Sequence, residues 1–400
     1  MGAYKKILVV GNGFDLALKL PTSYKQFMQS FLRFRAELFN LPIRGIEEND
    51  FSNLYKIFAD NMNLLKESWE KISDSSFNDI LLKNQFIILM IFKYNQVEFA
   101  RSNRVSCIPS CPPSTPMYPN FPDTQPLSER YYQEHDIADN SSNWFNVEDI
   151  LSEISDNDKF NNIASNIDKY KNSCHALQGL YGSEKIFSKH VGNNKTAKYE
   201  ELLQGLDVFK KSLAIYLSAV EIYYKNKVLE NFKNIKKSLV EQEYDEIISL
   251  NYTSFAENMF AVQPQSCHHP HGKINNSSPT SSEIVLGYYD DINKDKFDTY
   301  FIEFQKFYQR ILYGLGNYVK KDDCARSVEF FGFSCDPADT KLLKELLLDD
   351  RDRIAPSLQK IVVHCFQDKN QNILNLVQCI GKENILDLTH DGILEFKLDF

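Results

Sequence analysis

Short apolar runs at the two ends of the chain flank a long amphipathic middle. Near the start, Ile7-Leu8-Val9-Val10 follows Lys5-Lys6 as a continuous apolar run, the pattern of a strand buried on both faces of a parallel sheet. It empties into Gly11-Asn12-Gly13-Phe14-Asp15. A short helix Leu16-Ala17-Leu18-Lys19 is predicted next, with Asp15 as its cap and Leu20-Pro21-Thr22 ending it. From Glu37 to about residue 100 the spacing is helical. Phe86-Ile87-Ile88-Leu89-Met90-Ile91-Phe92 reads as a buried helix by its length and flanks. Between residues 102 and 143 the pattern breaks, with Pro109, Pro112, Pro113, Pro116, Pro119, Pro122 and Pro126 crowded together. Such a stretch holds neither a helix nor a central strand and predicts a long irregular loop. Helical spacing resumes from Trp144 to about Leu239.

After residue 240 short apolar runs return: Glu246–Leu250, Glu283–Gly287, Val328–Gly332, Lys360–His364 and Asn384–Leu388. Strands alternating with helical stretches predict an α/β protein with a mostly parallel sheet. The sheet is split in sequence. Residues 1–35 and 241–400 build the expected sheet domain, and residues 36–240 form a mainly helical insertion that caps it, carrying the proline-rich loop at 102–143. No internal repeat is present.

Composition narrows the class. A hydrophobic fraction of 43% over 400 residues supports a sizeable core. No apolar run approaches the roughly 18 residues of a membrane span, and the first apolar run is too short for a signal peptide. Eight scattered cysteines fit a reduced, cytoplasmic setting. A net charge of −9 argues against a broad nucleic-acid face, while leaving room for a local basic patch.

In parallel sheets, ligands sit beyond the carboxyl ends of the strands, so chemistry is expected in the loops there. Gly11 and Gly13 let the first turn bring backbone N–H groups near a pyrophosphate. A side chain at Gly13 is therefore expected to obstruct a phosphate and spare the fold. After the 246–250 strand, Asn251 offers both a donor and an acceptor for a water or a sugar hydroxyl. Cys267-His268-His269-Pro270-His271-Gly272 invites a zinc reading. The cluster is too tight for paired zinc spacing, Cys107 and Cys111 being the other pair in view, and no metal is assigned. His271 is the more informative member, since Gly272 allows close approach to its ring. Gly332-Phe333-Ser334-Cys335-Asp336-Pro337 closes the 328–331 strand, with Asp336 or Asp339 as cap of the helix from Ala338 to Leu348.

Taken in order, Gly11-Asn12-Gly13-Phe14-Asp15, Leu20-Pro21-Thr22-Ser23-Tyr24, Leu250-Asn251-Tyr252-Thr253, His271-Gly272 and Gly332-Phe333-Ser334 resemble the AbiH family of bacteriophage abortive-infection proteins. Trp144 followed by Glu148 resembles the tryptophan-acidic segment of that family's middle region. The same layout is similar to that of sirtuin-like NAD-binding domains, which implies a Rossmann-type (sirtuin-like) parallel sheet split by a large helical insertion. By that resemblance Gly11, Asn12, Gly13, Phe14 and Asp15 hold the pyrophosphate, with Thr253 alongside, and Gly332, Ser334 and Asp336 hold the far side of the dinucleotide. Asn251 and His271 would act at the ribose, with Glu148 or Asp15 stabilising an oxocarbenium charge.

Two departures matter. Asp15 stands where sirtuins place a small hydroxyl residue, and a carboxylate beside a pyrophosphate is repulsive unless screened. The paired Cys-x-x-Cys zinc ribbon of deacylating sirtuins is absent, which argues against deacylation. The resemblance then implies an anti-phage protein that binds NAD or a related nucleotide and hydrolyses it, as an NAD glycohydrolase-type hydrolase. A phage-derived trigger and a homo-oligomer are compatible partners. Two alternatives stay open. One is a nucleotide-sensing module that recruits a partner without turnover. The other is a nuclease or phosphotransferase with magnesium on Asp15 and Glu148.

Overall fold

A computed structural model of the chain describes residues 4–41, 52–73, 75–94, 147–155, 157–170, 195–241, 243–288, 299–315, 324–366 and 369–398. The proline-rich stretch 102–143, Trp144, Cys107 and Cys111 lie outside the described residues. The protein is α/β. Its sheet has six strands: β1 (Tyr4–Val10), β2 (Glu246–Ser249), β3 (Cys267–His268), β6 (Ala325–Phe331), β7 (Leu358–Cys365) and β8 (Leu394–Leu398). They lie in the order β3-β2-β1-β6-β7-β8, and every neighbouring pair is parallel. A separate antiparallel pair joins β4 (Gly272–Lys273) to β5 (Glu283–Ile284). Counted within the large sheet, the chain builds outward from β1 to one edge and then to the other. The order reverses between β1 and β6, the place in parallel sheets beyond whose strand ends ligands are expected.

The central strands are buried on both faces because helices cover both. Ile7, Leu8, Val9 and Val10 are each at most 1% exposed. On one side Ile7, Val9, Val328, Phe330, Ile361 and Val363 pack with Leu342, Leu343, Leu346, Leu347 and Leu376 in a single core.

Two expected strands are corrected. Glu283–Gly287 does not enter the large sheet; only Glu283–Ile284 is extended, paired with Gly272–Lys273. Asn384–Leu388 lies within the helix Lys382–His390. There Ile385 and Leu388 are buried while Leu386 is 51% exposed, which is the spacing of a helix face rather than a strand. The last strand is instead Leu394–Leu398. The 86–92 run is helical, as expected, within 85–94.

The chain divides into two compact units. One is Met1–Ser23, Glu48–Ile72 and Asp207–Phe400; the other is Tyr24–Glu47 and Ser73–Leu206. The division differs from the expected 1–35, 36–240 and 241–400. The helix Ser52–Ile72 and the second half of the helix Lys195–Tyr224 belong with the sheet. Tyr216 shows why: it is fully buried, donates its hydroxyl to the Pro21 carbonyl at 2.7 Å, and meets the Phe58 ring edge-on. Within the helical unit, Asn84 donates to the Glu201 carbonyl, and Lys93 pairs with Glu153 at 2.6 Å. No described helix is long and apolar enough to cross a membrane.

Candidate functional site

The carboxyl ends of β1, β2 and β6 lie side by side, and the loops that leave them carry most of the predicted site residues. The first loop folds tighter than the sequence suggests. The helix is Asn12–Ala17 with Gly11 as its N-cap, so Asp15 does not cap it. Lys19 takes a left-handed conformation, its N–H bonding to the Leu16 carbonyl and that of Leu20 to the Asp15 carbonyl. This pair of bonds is a Schellman ending, and Pro21 then prevents any continuation.

Gly11 and Gly13 are glycines because of another turn. A Cβ on Gly13 would lie 2.6 Å from the Gly332 Cα, and one on Gly11 would lie 2.6 Å from the Gly332 carbonyl oxygen. Gly332 itself has φ +63°, and its Cβ would meet the Phe14 nitrogen at 2.2 Å. The N–H groups of Gly11 and Gly13 donate to the Phe331 and Gly332 carbonyls at 3.2 and 2.9 Å. The first and third predicted loops are therefore one packed backbone unit. The expectation that a side chain at Gly13 spares the fold is overturned, because the space it needs is occupied by main chain. Phe14 is fully buried against Phe260 and Phe331.

Polar groups collect beside this unit. Asp15 is 1% exposed and accepts from the Thr253 hydroxyl at 2.8 Å. Burial pushes its pKa up to about 7. The Thr253 bond opposes the shift, Glu221 adds to it, and the Asn251 amide holds it back. Asn251 is thus close to Asp15, yet no regular hydrogen bond joins them: Asn251 Nδ2 and Asp15 Oδ1 are buried without a hydrogen-bond partner, as is Asn12 Nδ2. Asn12 Oδ1 accepts from the Thr22 hydroxyl at 2.9 Å. Glu221 clamps the far end of the β2 loop, accepting from the Ser254 hydroxyl with both oxygens and from the Ser254 N–H.

His271 sits in the turn entering β4 and is buried. Its Nε2 lies 2.8 Å from Asp339 Oδ1. Asp339 occupies the N-cap position of the helix Thr340–Leu347 but makes no cap hydrogen bond with its side chain. The side chain turns to His271 instead, with Lys306 Nζ and Arg310 Nη2 each 3.7 Å from the same oxygen. Burial lowers the His271 pKa to about 4; Asp339 opposes this, and Lys306 and Arg310 reinforce it. Burial alone would raise Asp339, but Lys306, His271 and Arg310 together hold it well below its ordinary value. At neutral pH the imidazole is neutral, donating from Nε2–H to the carboxylate and leaving Nδ1 as an acceptor. Gly272 is required by packing, since at φ +82° its Cβ would fall 1.6 Å from the Glu283 carbonyl oxygen. The space that Gly272 leaves open is taken by that carbonyl.

The loops are stitched together: Ile274 N–H donates to the Tyr252 carbonyl, Val285 N–H to the His271 carbonyl, and the Tyr252 hydroxyl to the Val285 carbonyl. In the third loop Ser334 is exposed and Asp336 half-buried, and the loop backbone is held by Asn372 and Asn375. Glu148 belongs to the other unit, half-buried on the helix Val147–Ser155. Sequence reading missed Glu221, Lys306 and Arg310, which come from elements with no motif of their own, and it missed that His271 pairs with Asp339. It also missed Glu257, which meets Cys267 and His269.

Fold and site together define a two-unit α/β protein with a buried His–Asp pair and unsatisfied amides beyond the carboxyl ends of a parallel sheet. A family model described as bacteriophage abortive infection AbiH matches residues 7–355, and the chain belongs to that family. No curated protein and no solved structure matches the chain.

Proposed function

We propose that this AbiH-family protein acts in phage defence by binding NAD or a related nucleotide in a Rossmann-type, sirtuin-like crevice beyond β1, β2 and β6, and by hydrolysing it at the ribose. The observation that carries the reading is the Asn251–Asp15 pair on the loops leaving β2 and β1: the amide acts on the carboxyl, yet Asn251 Nδ2 and Asp15 Oδ1 are both buried without a regular hydrogen bond. Buried polar groups are nearly always satisfied, and an unsatisfied one at a strand end is most economically explained by a ligand or its water. Asp15 Oδ1 and Asn12 Nδ2 are unsatisfied in the adjoining turn.

In the reaction, Asn251 positions water at the ribose C1′. The bond from C1′ to the nicotinamide nitrogen breaks as the water oxygen bonds to C1′, giving nicotinamide, ADP-ribose and a proton. His271, its Nε2 taken by Asp339, presents Nδ1 to a ribose hydroxyl. Asp15, in the carboxylate form it takes as pH rises past about 7, faces the developing oxocarbenium charge, which also explains an acidic residue in this turn.

The test is incubation of the purified protein with NAD, ATP and RNA, with and without magnesium, following nicotinamide release and nucleotide binding. Release of nicotinamide that is lost in a folded Asn251→Ala protein supports the reading. Binding of intact NAD without release would replace hydrolysis by sensing, and magnesium-dependent RNA or ATP turnover would replace it by phosphoryl chemistry. Absence of any nucleotide binding would overturn it.

A further inference from the structure

Glu257 on the helix Phe255–Phe260, Cys267 in β3 and His269 just after it bring three donor atoms within 4.8 Å of one another. Cys267 Sγ lies 3.6 Å from His269 Nε2, and His269 Nε2 lies 3.2 Å from Glu257 Oε2. Around a tetrahedral zinc ion, with bonds of about 2.3 Å to sulfur and about 2.0–2.1 Å to nitrogen and oxygen, neighbouring donors stand about 3.5 Å (S to N) and about 3.3 Å (N to O) apart. Both observed separations match that figure. The surroundings also suit a metal. His269 Nδ1 lies 3.3 Å from the Asn251 carbonyl oxygen, an acceptor that would hold the ring proton on Nδ1 once Nε2, now against Glu257, bonds a metal instead. Lys273 bonds the other Glu257 oxygen, Oε1, leaving Oε2 to bind through one atom. The three residues are partly covered, with Cys267 the most enclosed of them.

We infer that Glu257, Cys267 and His269 form a three-ligand site for a zinc-class divalent cation, with water in the fourth position. A sulfur ligand beside imidazole selects zinc over magnesium or calcium, which take oxygen ligands. The ion clamps the helix Phe255–Phe260 to the loop that leaves β3. It thereby steadies the segments that begin at Asn251 and end at His271. The site needs no nucleotide, so it stands or falls separately from the hydrolase reading.

Cobalt(II), the spectroscopic stand-in for zinc, tests it on the full chain. Titration should give a thiolate-to-cobalt charge-transfer absorption and the visible bands of a tetrahedral ion, saturating at one cobalt per chain and erased by added zinc. Zinc binding should release the Cys267 thiol proton into weakly buffered solution. Cys267→Ser should remove the charge-transfer band, and Glu257→Gln, a gentler change, should weaken binding 10-fold or more. Cys324→Ser, a half-buried cysteine elsewhere, should change neither. A folded wild-type protein that shows no thiolate band with excess cobalt overturns the site. So does a band that survives in Cys267→Ser, which would place the metal on another cysteine.

Discussion

Gly13 and Gly332 lie in backbone contact across two turns, the Gly13 N–H donating to the Gly332 carbonyl at 2.9 Å while no Cβ fits on either residue. The contact joins the end of β1 to the end of β6 at the point where the sheet order reverses. A pair of motifs 319 positions apart in sequence is thus a single structural device. Alanine at Gly332 combines a clash with main chain and a left-handed φ, and should cost at least about 2 kcal/mol. Gly392→Ala shares the positive φ, but nothing lies within 4 Å of its Cβ, so its loss should stay near about 1 kcal/mol. Urea denaturation of both proteins decides the matter; equal losses would mean that the turn–turn contact does not matter.

Asp15 should make stability fall as pH rises. Its folded pKa of about 7 lies above the ordinary 3.8, so its favourable contribution is complete below about pH 4 and lost as pH climbs through 7. The difference amounts to about 4 kcal/mol between pH 4 and 8. Asp15→Asn keeps an acceptor for Thr253 and removes the buried charge, so the variant should gain on the wild type across that window. Parallel stability curves for the two proteins would show that Asp15 is not held neutral by burial.

The Asp339–His271 pair separates structure from chemistry. Asp339→Asn leaves Lys306 and Arg310 without their shared carboxylate and should destabilise by about 3–5 kcal/mol. His271→Ala removes a neutral ring and should cost less. If His271 and Asn251 act on one ribose, each alanine variant should abolish nicotinamide release, and the double variant should be little worse than either. Phage protection in cells should vanish with both while protein levels hold. A folded His271→Ala protein that still protects would remove His271 from the chemistry.

Glu329 anchors the sheet to the segment that precedes β2. It lies 2.6 Å from His364 Nε2 and accepts from the Val240 N–H at 2.7 Å and the Tyr244 hydroxyl at 2.9 Å. Burial alone would raise its pKa; these hydrogen bonds outweigh burial and lower it. A depressed carboxylate contributes stability above its unfolded pKa and loses it as pH falls through the folded one. Glu329→Gln should therefore destabilise at pH 7 by about 2 kcal/mol or more, with the gap to wild type closing in acid. A gap that persists unchanged at pH 3 would assign the loss to packing rather than charge.

The parallel strands, the helical middle and the loops that matter were legible in local pattern. Continuous apolar runs such as Ile7–Val10 and Ile361–Val363 report burial on two faces, and glycines after them report turns. Where local pattern is ambiguous, the reading failed: Asn384–Leu388 is short enough to be strand or helix, and only packing of Ile385 and Leu388 on one side decided it. The residues Gly11, Gly13, Asn251 and His271 stood out as candidates because they sit in turns whose chemistry is written in a few adjacent letters. Their partners were not. Gly332 against Gly13, Asp339 against His271, Glu221 against Ser254 and Glu257 against His269 are set by strand order and loop packing. Distances of that kind depend on how the chain returns to itself, and no short stretch of sequence carries them. The sequence by itself determined which groups are available at the strand ends; the tertiary structure decided which of them meet, because burial removes water and makes each polar group depend on whatever the fold places beside it.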